Sequence, residues 1–268
     1  MKTDEIKTIA EPVLSSTVIP VRNGSEGIEV FMVLRNPKSD FASGALVFPG
    51  GKVDEGDKAE ELYKLCDQTA PLEKNTLSIY VAAIRETFEE SGILFAMQKE
   101  KKTMITADHL ALLQDDRVLL NSKKITMAQF LKTRNLILAC DYLTYFAHWI
   151  TPEPLPLRFD THFFLAPVPS DFIGMHDGAE SVDSFWITPE KAVMDADAGK
   201  YTLMFPTKMN LLKLGVKKNV SEAIFTTKLH SVSTIMPVIE RKKTGCFISI
   251  PGNAGYLASD IRQKYSQP

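Results

Sequence analysis

Cysteine is scarce in this sequence. Only Cys66, Cys140 and Cys246 occur among 268 residues, and no two of them have C-x-x-C spacing or a Cys/His spacing that suits a metal. Disulfide frameworks and structural zinc sites require paired or clustered cysteines. We therefore expect the three thiols to be reduced and structural.

Long apolar runs are also missing. No run approaches the eighteen or so residues that a membrane span needs, and residues 1–11 are charged and lack the apolar core of a signal peptide. The last four residues, 265–268, do not form a peroxisomal targeting signal. From these features we expect no membrane association and a cytoplasmic location.

The sequence also lacks a large excess of positive or negative charge. The formal net charge is −2, which argues against a nucleic-acid partner held by bulk electrostatics. With 44% apolar and 24% charged residues, the composition is typical of a globular protein that buries a substantial core. The sequence has no internal repeat or low-complexity linker, and we interpret residues 1–268 as one domain.

One stretch carries three carboxylates at helical spacing. It runs from 85 to 92 and reads R-E-T-F-E-E-S-G. On a helix, Glu86, Glu89 and Glu90 share one face, and Gly92 supplies a C-terminal stop. The opposite arc is apolar, with Val81, Ile84 and Phe88. Two interpretations remain open at this point: a solvated acidic face, or a site for a hard divalent cation such as Mg²⁺.

The turn F-P-G-G at residues 48–51 precedes this stretch. Together they resemble the box of the Nudix hydrolases, G-x5-E-x7-R-E-U-x-E-E-x-G-U, in which U is a bulky aliphatic residue. The matching positions are Gly51, Arg85, Glu86, Glu89, Glu90, Gly92 and Ile93. The sequence departs from the box at Asp57, where the family has Glu, at Thr87 and Phe88, and in the 27 residues from 58 to 84 where the pattern has seven. The resemblance favours the cation site over the solvated face.

The resemblance implies an α/β fold, a Nudix-type α/β/α sandwich with a mixed sheet, plus a helical insertion and a C-terminal extension. We assign the insertion within the box to residues 58–76, with a short helix closed by Pro71. A helical cap over the main sheet is assigned to residues 97–145, and C-terminal helices and a hairpin to residues 200–268. Such a cap would shape either a pocket or a dimer contact.

The local patterns predict individual elements. Strands at 17–21 and 29–34 form a hairpin turned at 23–27, and further strands are expected at 145–150 and 158–166. Thr106, Thr126 and Thr188 are expected to cap helices that begin at the next residue. Near the C-terminus we predict helices at 207–214 and 221–229 and a hairpin of 233–240 with 246–250.

Other segments are similar to one branch of the family, the coenzyme A diphosphatases. These segments are Arg35 followed by V-F-P-G-G, the insertion inside the box, W-I-T-P at 149–152 and R-F-D-T-x-F-F at 158–164. The branch implies hydrolysis of the diphosphate of coenzyme A or acyl-coenzyme A. Two alternatives stay open: hydrolysis of ADP-ribose or a dinucleotide, and a Nudix fold that binds a ligand without turnover.

The resemblance also implies site residues. Glu86, Glu89 and Glu90, with the backbone of Gly51, would bind one to three Mg²⁺ or Mn²⁺ ions. Arg85 would orient these carboxylates, with its side chain pointing away from the acidic arc. An acidic loop residue, Glu180, is the candidate that reaches the cluster, and either Glu89 or Glu180 would take a proton from the attacking water. If the family Glu touches the metal, the shorter Asp57 predicts a weaker metal site.

Five residues are assigned to substrate: Arg35, Phe48, Gly50, Arg158 and His162. Arg35 either binds a phosphate or pairs with Asp40 at the surface. We place Arg158 and His162 on one face of their strand, with Asp160 pointing the other way. For Arg158 we leave a phosphate contact open, and for His162 either a substrate contact or a buried hydrogen bond. The expected partner is a small nucleoside diphosphate conjugate, and many proteins of the family form homodimers.

Overall fold

The computed structural model describes residues 9–38, 42–67, 72–257 and 259–265. The strands are β1 (Val13–Gly24), β2 (Gly27–Arg35), β3 (Leu46–Val47), β4 (Gly50–Lys52), β5 (Ala96–Gln98), β6 (Leu136–Leu138), β7 (Thr144–Ile150), β8 (Phe159–Pro167), β9 (Ser181–Ile187), β10 (Thr234–Ile235), β11 (Val238–Lys242), β12 (Gly245–Ser249) and β13 (Arg262–Lys264). The helices are α1 (Lys74–Ser91), α2 (Ala107–Ala111), α3 (Gln114–Asn121), α4 (Met127–Thr133), α5 (Pro189–Asp197), α6 (Phe205–Gly215) and α7 (Val220–Lys228).

An eight-stranded mixed sheet is the centre of the fold. Its order is β10-β7-β8-β1-β2-β3, with β4 paired to β1 and β9 paired to β2. β1 and β2 form the predicted antiparallel hairpin, and β1 runs parallel to β8 over its first nine residues. The turn of the β1–β2 hairpin is Ser25–Glu26, shorter than the predicted turn at 23–27, because β1 extends to Gly24 and β2 starts at Gly27. Helices cover both faces, which confirms the α/β/α arrangement with a mixed sheet.

Each face of the sheet has its own apolar core. One core packs α1 and the segment that follows it against Val18, Phe31 and Phe164. The other packs α5, α6 and α7 against Ile19, Met32 and Leu165. Neighbouring residues of one strand therefore enter opposite cores, as expected for a strand that is buried on both faces.

Helix α1 begins at Lys74, within the segment 58–76 that was assigned to the insertion. It ends as predicted at Gly92, whose φ of +72° is in the left-handed region and whose N–H donates to the carbonyl of Phe88. Only glycine adopts this conformation without strain, so Gly92 sets the end of the helix. The carboxylates at 86, 89 and 90 lie in its last two turns.

The segments assigned as insertion and cap fold less regularly than predicted. Within the insertion, residues Glu60–Leu65 form a 3₁₀ helix with Leu62 and Leu65 buried, and Pro71 lies outside the described residues. The cap contains α2, α3 and α4, but it also has the two-stranded sheet of β5 and β6. Thr106 and Thr126 cap α2 and α4 as predicted. The cap packs against α1 through α3, and its apolar residues share one core with Val18, Phe31 and Phe164 of the main sheet.

The C-terminal region differs from the predicted single hairpin. The helices α6 and α7 and the Thr188 cap of α5 are present. However, the first predicted strand is divided: β10 pairs in parallel with β7, and β11 pairs with β12. Ile235 of β10 is buried, and residues 236–237 separate β10 from β11. β13 adds a third strand to the hairpin.

A membrane span was not expected from the sequence. Within the described residues, no helix combines the length and apolar character needed to cross a bilayer.

Candidate active site

The acidic face of α1 lies beside the Gly-Gly turn. Glu86 and Glu89 are half-buried, and Glu90 is buried. The backbone N–H of Gly50 donates to Oε2 of Glu90 over 3.0 Å. The solvated acidic face is therefore excluded as a description of this surface, because the carboxylates are enclosed by the turn.

The two glycines permit this close approach. A Cβ added to Gly51 would lie 2.5 Å from Cδ of Glu86, and one added to Gly50 would lie 2.5 Å from the carbonyl oxygen of Ser16. Both distances are shorter than real carbon contacts. β4 can therefore pair with β1 and at the same time face the helix only without side chains at these positions.

Arg85 holds the acidic face together. Its Nη1 donates to Oε1 of Glu86 over 2.8 Å and to Oε2 of Glu89 over 2.9 Å. Its Nη2 also donates to the carbonyl of Lys52. The expectation that Arg85 points away from the acidic arc is wrong: its Cα lies beside the arc, but the long side chain curls back so that the guanidinium binds both carboxylates.

Asp57 faces Arg85 instead of open space. Its two carboxylate oxygens accept from Nε and Nη2 of Arg85 over 2.8 and 2.9 Å, in a bidentate pair. Asp57 is 3% exposed, and its Oδ2 also accepts from the backbone N–H of Asp54. A role in positioning Arg85 therefore accounts for this carboxylate, and the predicted effect of its shorter side chain on a metal ion has no support in these contacts.

The carboxylates have raised pKa values. Burial raises the pKa of Glu86 to about 7, and Arg85 opposes this increase. Burial, followed by the charge of Glu86, raises the pKa of Glu90 well above its usual value. Burial also raises the pKa of Glu89, against the effect of Arg85. One guanidinium does not compensate three enclosed carboxylates, so the residues fit a bound divalent cation with oxygen ligands.

Arg35 and Phe48 lie at the edge of this cluster. Arg35 ends β2, and its charge lowers the pKa of Glu90. Its Nε is buried and has no hydrogen-bond partner among the residues that the structure describes. Asp40, the alternative partner, lies outside the described residues. Phe48 is buried in the core beneath α5–α7 and lines the same cleft.

The loop before β9 brings a further acid to the cluster. Asp177 accepts hydrogen bonds from the backbone N–H groups of Ala179, Glu180 and Ser181. This turn leaves Glu180 exposed in the cleft, where its charge adds to the increase in the pKa of Glu90. The structure thus brings Glu180 near Glu90, as the sequence interpretation required.

The assignment of Arg158 to the substrate site is wrong. Arg158 is 6% exposed, and its guanidinium donates to the carbonyls of Thr151 and Ala10 over 3.0 and 2.8 Å. These bonds tie the β7–β8 connection to the start of β1. Arg158 lies just before β8, and backbone carbonyls hold its guanidinium, which is not part of the cleft lining.

The assignment of His162 to the substrate site is also wrong. Phe159, Thr161 and Phe163 line the cleft, so His162 projects from the other face of β8. Its Nδ1 lies 2.7 Å from Oη of Tyr145, which is the hydrogen-bond alternative left open above. Asp160 shares this face with His162, contrary to the expectation, because residues two apart in a strand point the same way.

Sequence reasoning missed the support that α3 gives to α1. Nε of Arg117 and Nδ2 of Asn121 both donate to the carbonyl of Glu89, over 3.0 and 3.2 Å. Arg117 also donates to the carbonyl of Met175. Residues 117 and 121 are one helical turn apart, but nothing in their sequence indicates what they face. Their partners are fixed only when the cap folds against the helix end.

The acidic cluster opens into a cleft of about 1290 Å³. Its aromatic lining comprises Phe48, Trp149, Phe159, Phe163, Tyr201, Phe205 and Tyr265. Its basic lining comprises Arg35, Lys52, Arg85, Lys123, Lys208 and Lys264. The loop between α5 and α6 and strand β13 of the C-terminal extension form part of the wall. One end is therefore polar and acidic, and the remainder is aromatic with separate cations.

Comparisons with known proteins agree with this geometry. A family model described as the NUDT19 Nudix domain matches residues 67–214, more than half of the chain. An acyl-coenzyme A diphosphatase of Xenopus laevis, NUDT19, is 25% identical over 280 residues, which span 88% of this chain and 73% of that protein. The crystal structure of a NUDIX hydrolase from Alicyclobacillus acidocaldarius is similar at a TM-score of 0.68 and 24% identity, covering 84% of this chain and 100% of that one. The chain therefore belongs to the Nudix family, with the NUDT19 Nudix domain over its matched residues, and is a pyrophosphohydrolase.

Proposed function

We propose that the enzyme hydrolyses the diphosphate of coenzyme A or acyl-coenzyme A, with Mg²⁺ or Mn²⁺ held by Glu86, Glu89, Glu90 and the backbone at Gly51. The observation that carries the proposal is the volume of the cleft that the carboxylates open into. At about 1290 Å³ it exceeds the roughly 300–1,000 Å³ of most small-molecule sites. A nucleotide joined through a diphosphate to a long pantetheine arm suits such a cleft.

The lining supports a substrate with both charged and apolar parts. Aromatic side chains offer stacking surfaces for a base and contacts for an aliphatic arm. Lys264 in the lining offers a position for a phosphate outside the diphosphate, which coenzyme A has on its ribose. The similarity to an acyl-coenzyme A diphosphatase of Xenopus laevis agrees with this choice of substrate.

Each residue of the cluster has a chemical task in this proposal. Arg35 binds a phosphate oxygen, since its Nε is buried beside Glu90 and unpaired within the described chain. Arg85 orients Glu86 and Glu89 through Nη1, and Asp57 fixes Arg85. Phe48 and Gly50 form the edge of the cleft next to the diphosphate. When bound, the divalent cation neutralises phosphate charge and lowers the pKa of water.

The reaction consumes one water and breaks one P–O–P bond. Glu89 or Glu180 accepts the proton of the attacking water, and the oxygen adds to phosphorus in line with the leaving phosphate. From coenzyme A the products are 3′-phospho-AMP and 4′-phosphopantetheine, and an acylated substrate retains its acyl group. Glu180 suits the role of base because it is exposed in the cleft and free of the guanidinium that holds Glu89.

The experiment is a substrate panel with purified protein and Mg²⁺ or Mn²⁺, read by product mass. The panel contains coenzyme A, acetyl-coenzyme A, ADP-ribose, NADH and nucleoside triphosphates. We expect the highest kcat/KM for the coenzyme A species, with 3′-phospho-AMP as a product. A preference for ADP-ribose or NADH would move the function to the dinucleotide alternative, and ligand binding without turnover of any compound would favour the non-catalytic alternative.

A further inference from the structure

Two histidines and an aspartate meet on the face of the sheet that does not line the cleft. His148 is on β7, and Asp160 and His162 are on β8; His148 and His162 are directly opposite each other in the antiparallel pair. Their side chains are 15–27% exposed, so solvent reaches the group. None of the three has a task in the hydrolysis proposed above.

The ligand atoms of this group converge. Oδ1 of Asp160 lies 2.5 Å from Nε2 of His148 and 3.7 Å from Nε2 of His162. One ligand atom from each residue lies within 4.8 Å of the others. Ligands at about 2.0 Å from a tetrahedral zinc ion are roughly 3.3 Å apart, and the two measured separations fall on either side of this value. Small rotations of side chains bring the three atoms to one ion.

The other nitrogen of each imidazole already has a partner. Nδ1 of His162 lies 2.7 Å from Oη of Tyr145, and Nδ1 of His148 lies 2.8 Å from Oγ1 of Thr234. A hydroxyl accepts from Nδ1–H as well as it donates to Nδ1, so both rings can present a free Nε2 lone pair without losing this bond. Metal-binding histidines are usually oriented through the second nitrogen in this way.

The two ring planes are also fixed relative to each other. Their centroids are 4.1 Å apart at an interplanar angle of 18°, which directs both rings from neighbouring strands to the same side.

We propose that His148, Asp160 and His162 bind a transition-metal ion of the Zn²⁺ class, separate from the cation at the glutamates. Two nitrogens and one carboxylate suit Zn²⁺, whereas the all-oxygen glutamate cluster suits Mg²⁺ or Mn²⁺. Three protein ligands leave a fourth position for water, on the partly exposed side of Asp160. In the described part of the chain, no other three ligand residues converge this closely; the glutamate oxygens are held in a wider arrangement by Arg85 and Gly50.

The test is a Zn²⁺ titration of chelator-stripped full-length protein in excess Mg²⁺, with a competing zinc chelator that reports free Zn²⁺. We expect one tight Zn²⁺ per chain in the wild type and in Glu89→Gln. Affinity should fall by more than about 100-fold in His148→Gln and in Asp160→Asn, because each loses a ligand. The matched control is His230→Gln, an exposed histidine, which should bind as the wild type does.

Tyr145→Phe tests the orienting bond while the aromatic ring stays in place. Loss of the hydroxyl should weaken Zn²⁺ binding about 10- to 100-fold, the range seen when a partner of a metal ligand is removed. A purely structural tyrosine would leave the Zn²⁺ affinity unchanged.

A second measurement uses only the wild-type protein, so its result does not depend on whether the variants fold. In ¹⁵N NMR of the wild type, Zn²⁺ should shift Nε2 of two histidines to metal-bound values while their Nδ1 stays protonated. Equal affinities in wild type and His148→Gln, or unshifted histidine nitrogens at saturating Zn²⁺, would overturn the proposal and leave the group as a hydrogen-bonded cluster only.

Discussion

The side chains of the acidic face depend on one another residue by residue. Arg85 links Glu86, Glu89 and Asp57, and Gly50 links Glu90 to the turn. Each carboxylate therefore has a position that its neighbours determine. Substitutions that preserve shape separate the chemical role of each carboxylate from its role in folding.

Glu89→Gln keeps the shape of the side chain and removes a charge that the cation and the proton transfer would use. We expect kcat/KM for coenzyme A to fall about 10²- to 10⁴-fold, the contribution usual for a general base, with little change in Tm. Glu26→Gln, in the exposed hairpin turn, is the control. If Glu89→Gln stays active and Glu180→Gln does not, Glu180 is the base.

Asp57→Asn removes one charge from a buried bidentate pair. We expect the free energy of unfolding to fall by about 3 kcal/mol, the lower end for a broken buried pair, because Arg85 keeps two other carboxylates. Urea denaturation measures the loss. Asp54→Asn is the matched control, since Asp54 pairs with exposed Lys123. This substitution should lower the free energy of unfolding by less than about 1 kcal/mol.

The same pair determines what Asp57→Glu should do. Both oxygens of Asp57 face Arg85, so the added methylene should strain the buried contact by about 1–3 kcal/mol and leave the dependence of activity on Mg²⁺ unchanged. A shift in the Mg²⁺ concentration for half-maximal activity would place residue 57 among the metal ligands.

The raised pKa of Glu86, about 7, predicts how pH acts on the metal-free protein. Between pH about 4.5 and about 7 the folded state binds more protons than the unfolded chain, so the free energy of unfolding falls as pH rises. Mg²⁺ requires the ionised carboxylates, so the increase in Tm on adding Mg²⁺ should grow across this range. Glu86→Gln should flatten the profile, and an increase in Tm that is independent of pH would contradict the assignment.

At the scale of elements, the site depends on the contact between β4 and the end of α1. β4 supplies the Gly-Gly turn, α1 supplies the carboxylates, and α3 holds the carbonyl of Glu89 through Arg117 and Asn121. The spacing between these elements leaves no room for an additional carbon at Gly51.

Gly51→Ala tests this spacing. The new Cβ would lie 2.5 Å from Cδ of Glu86, so the carboxylate must move. A displacement of about 1 Å at a reacting centre costs roughly 10²-fold in rate, and we expect kcat/KM to fall by that factor. Gly56→Ala, five residues on, meets no atom within 4 Å and should retain full activity. Equal activities of the two variants would show that β4 can shift to accommodate the new Cβ without displacing the carboxylate of Glu86.

For the whole molecule, the cleft combines parts that are distant in sequence. Its walls come from the hairpin, α1, the β7–β8 connection, the loop after α5 and the C-terminal strands. If the substrate is coenzyme A, as proposed, the parts of the cleft farthest from the glutamates should distinguish long conjugates from short ones. The homodimer and the cytoplasmic location stay predictions, and light scattering tests the first.

Leu157 gives a test of substrate length, because it is an exposed apolar residue in the cleft lining. In Leu157→Ser we expect KM for coenzyme A to rise about 3- to 10-fold through loss of apolar contact, and KM for ADP-ribose to stay constant. Leu112→Ser, at the C-cap of α2 and also exposed, is the control. An equal rise for both substrates would mean that Leu157 does not contact the arm that they differ in.

The sequence by itself determined the features that depend on near neighbours. Helical spacing placed Glu86, Glu89 and Glu90 on one face, Gly92 ended their helix, and the threonine caps marked helix starts. The hairpin of β1 and β2 was equally readable, since turn chemistry and periodicity act over a few residues. The Nudix box was identified by its resemblance to a known family.

Only the tertiary structure decided which distant groups meet. In the folded chain, Arg85 binds the glutamates and Asp57, and Arg158 donates to backbone carbonyls. His148, Asp160 and His162 lie together away from the cleft. The tertiary structure also drew β10 into the main sheet and brought Arg117 to the end of α1. A long side chain carries its charge several ångströms from its backbone, and its partner is chosen by burial and hydrogen bonding in the packed fold, which spacing along the chain does not encode.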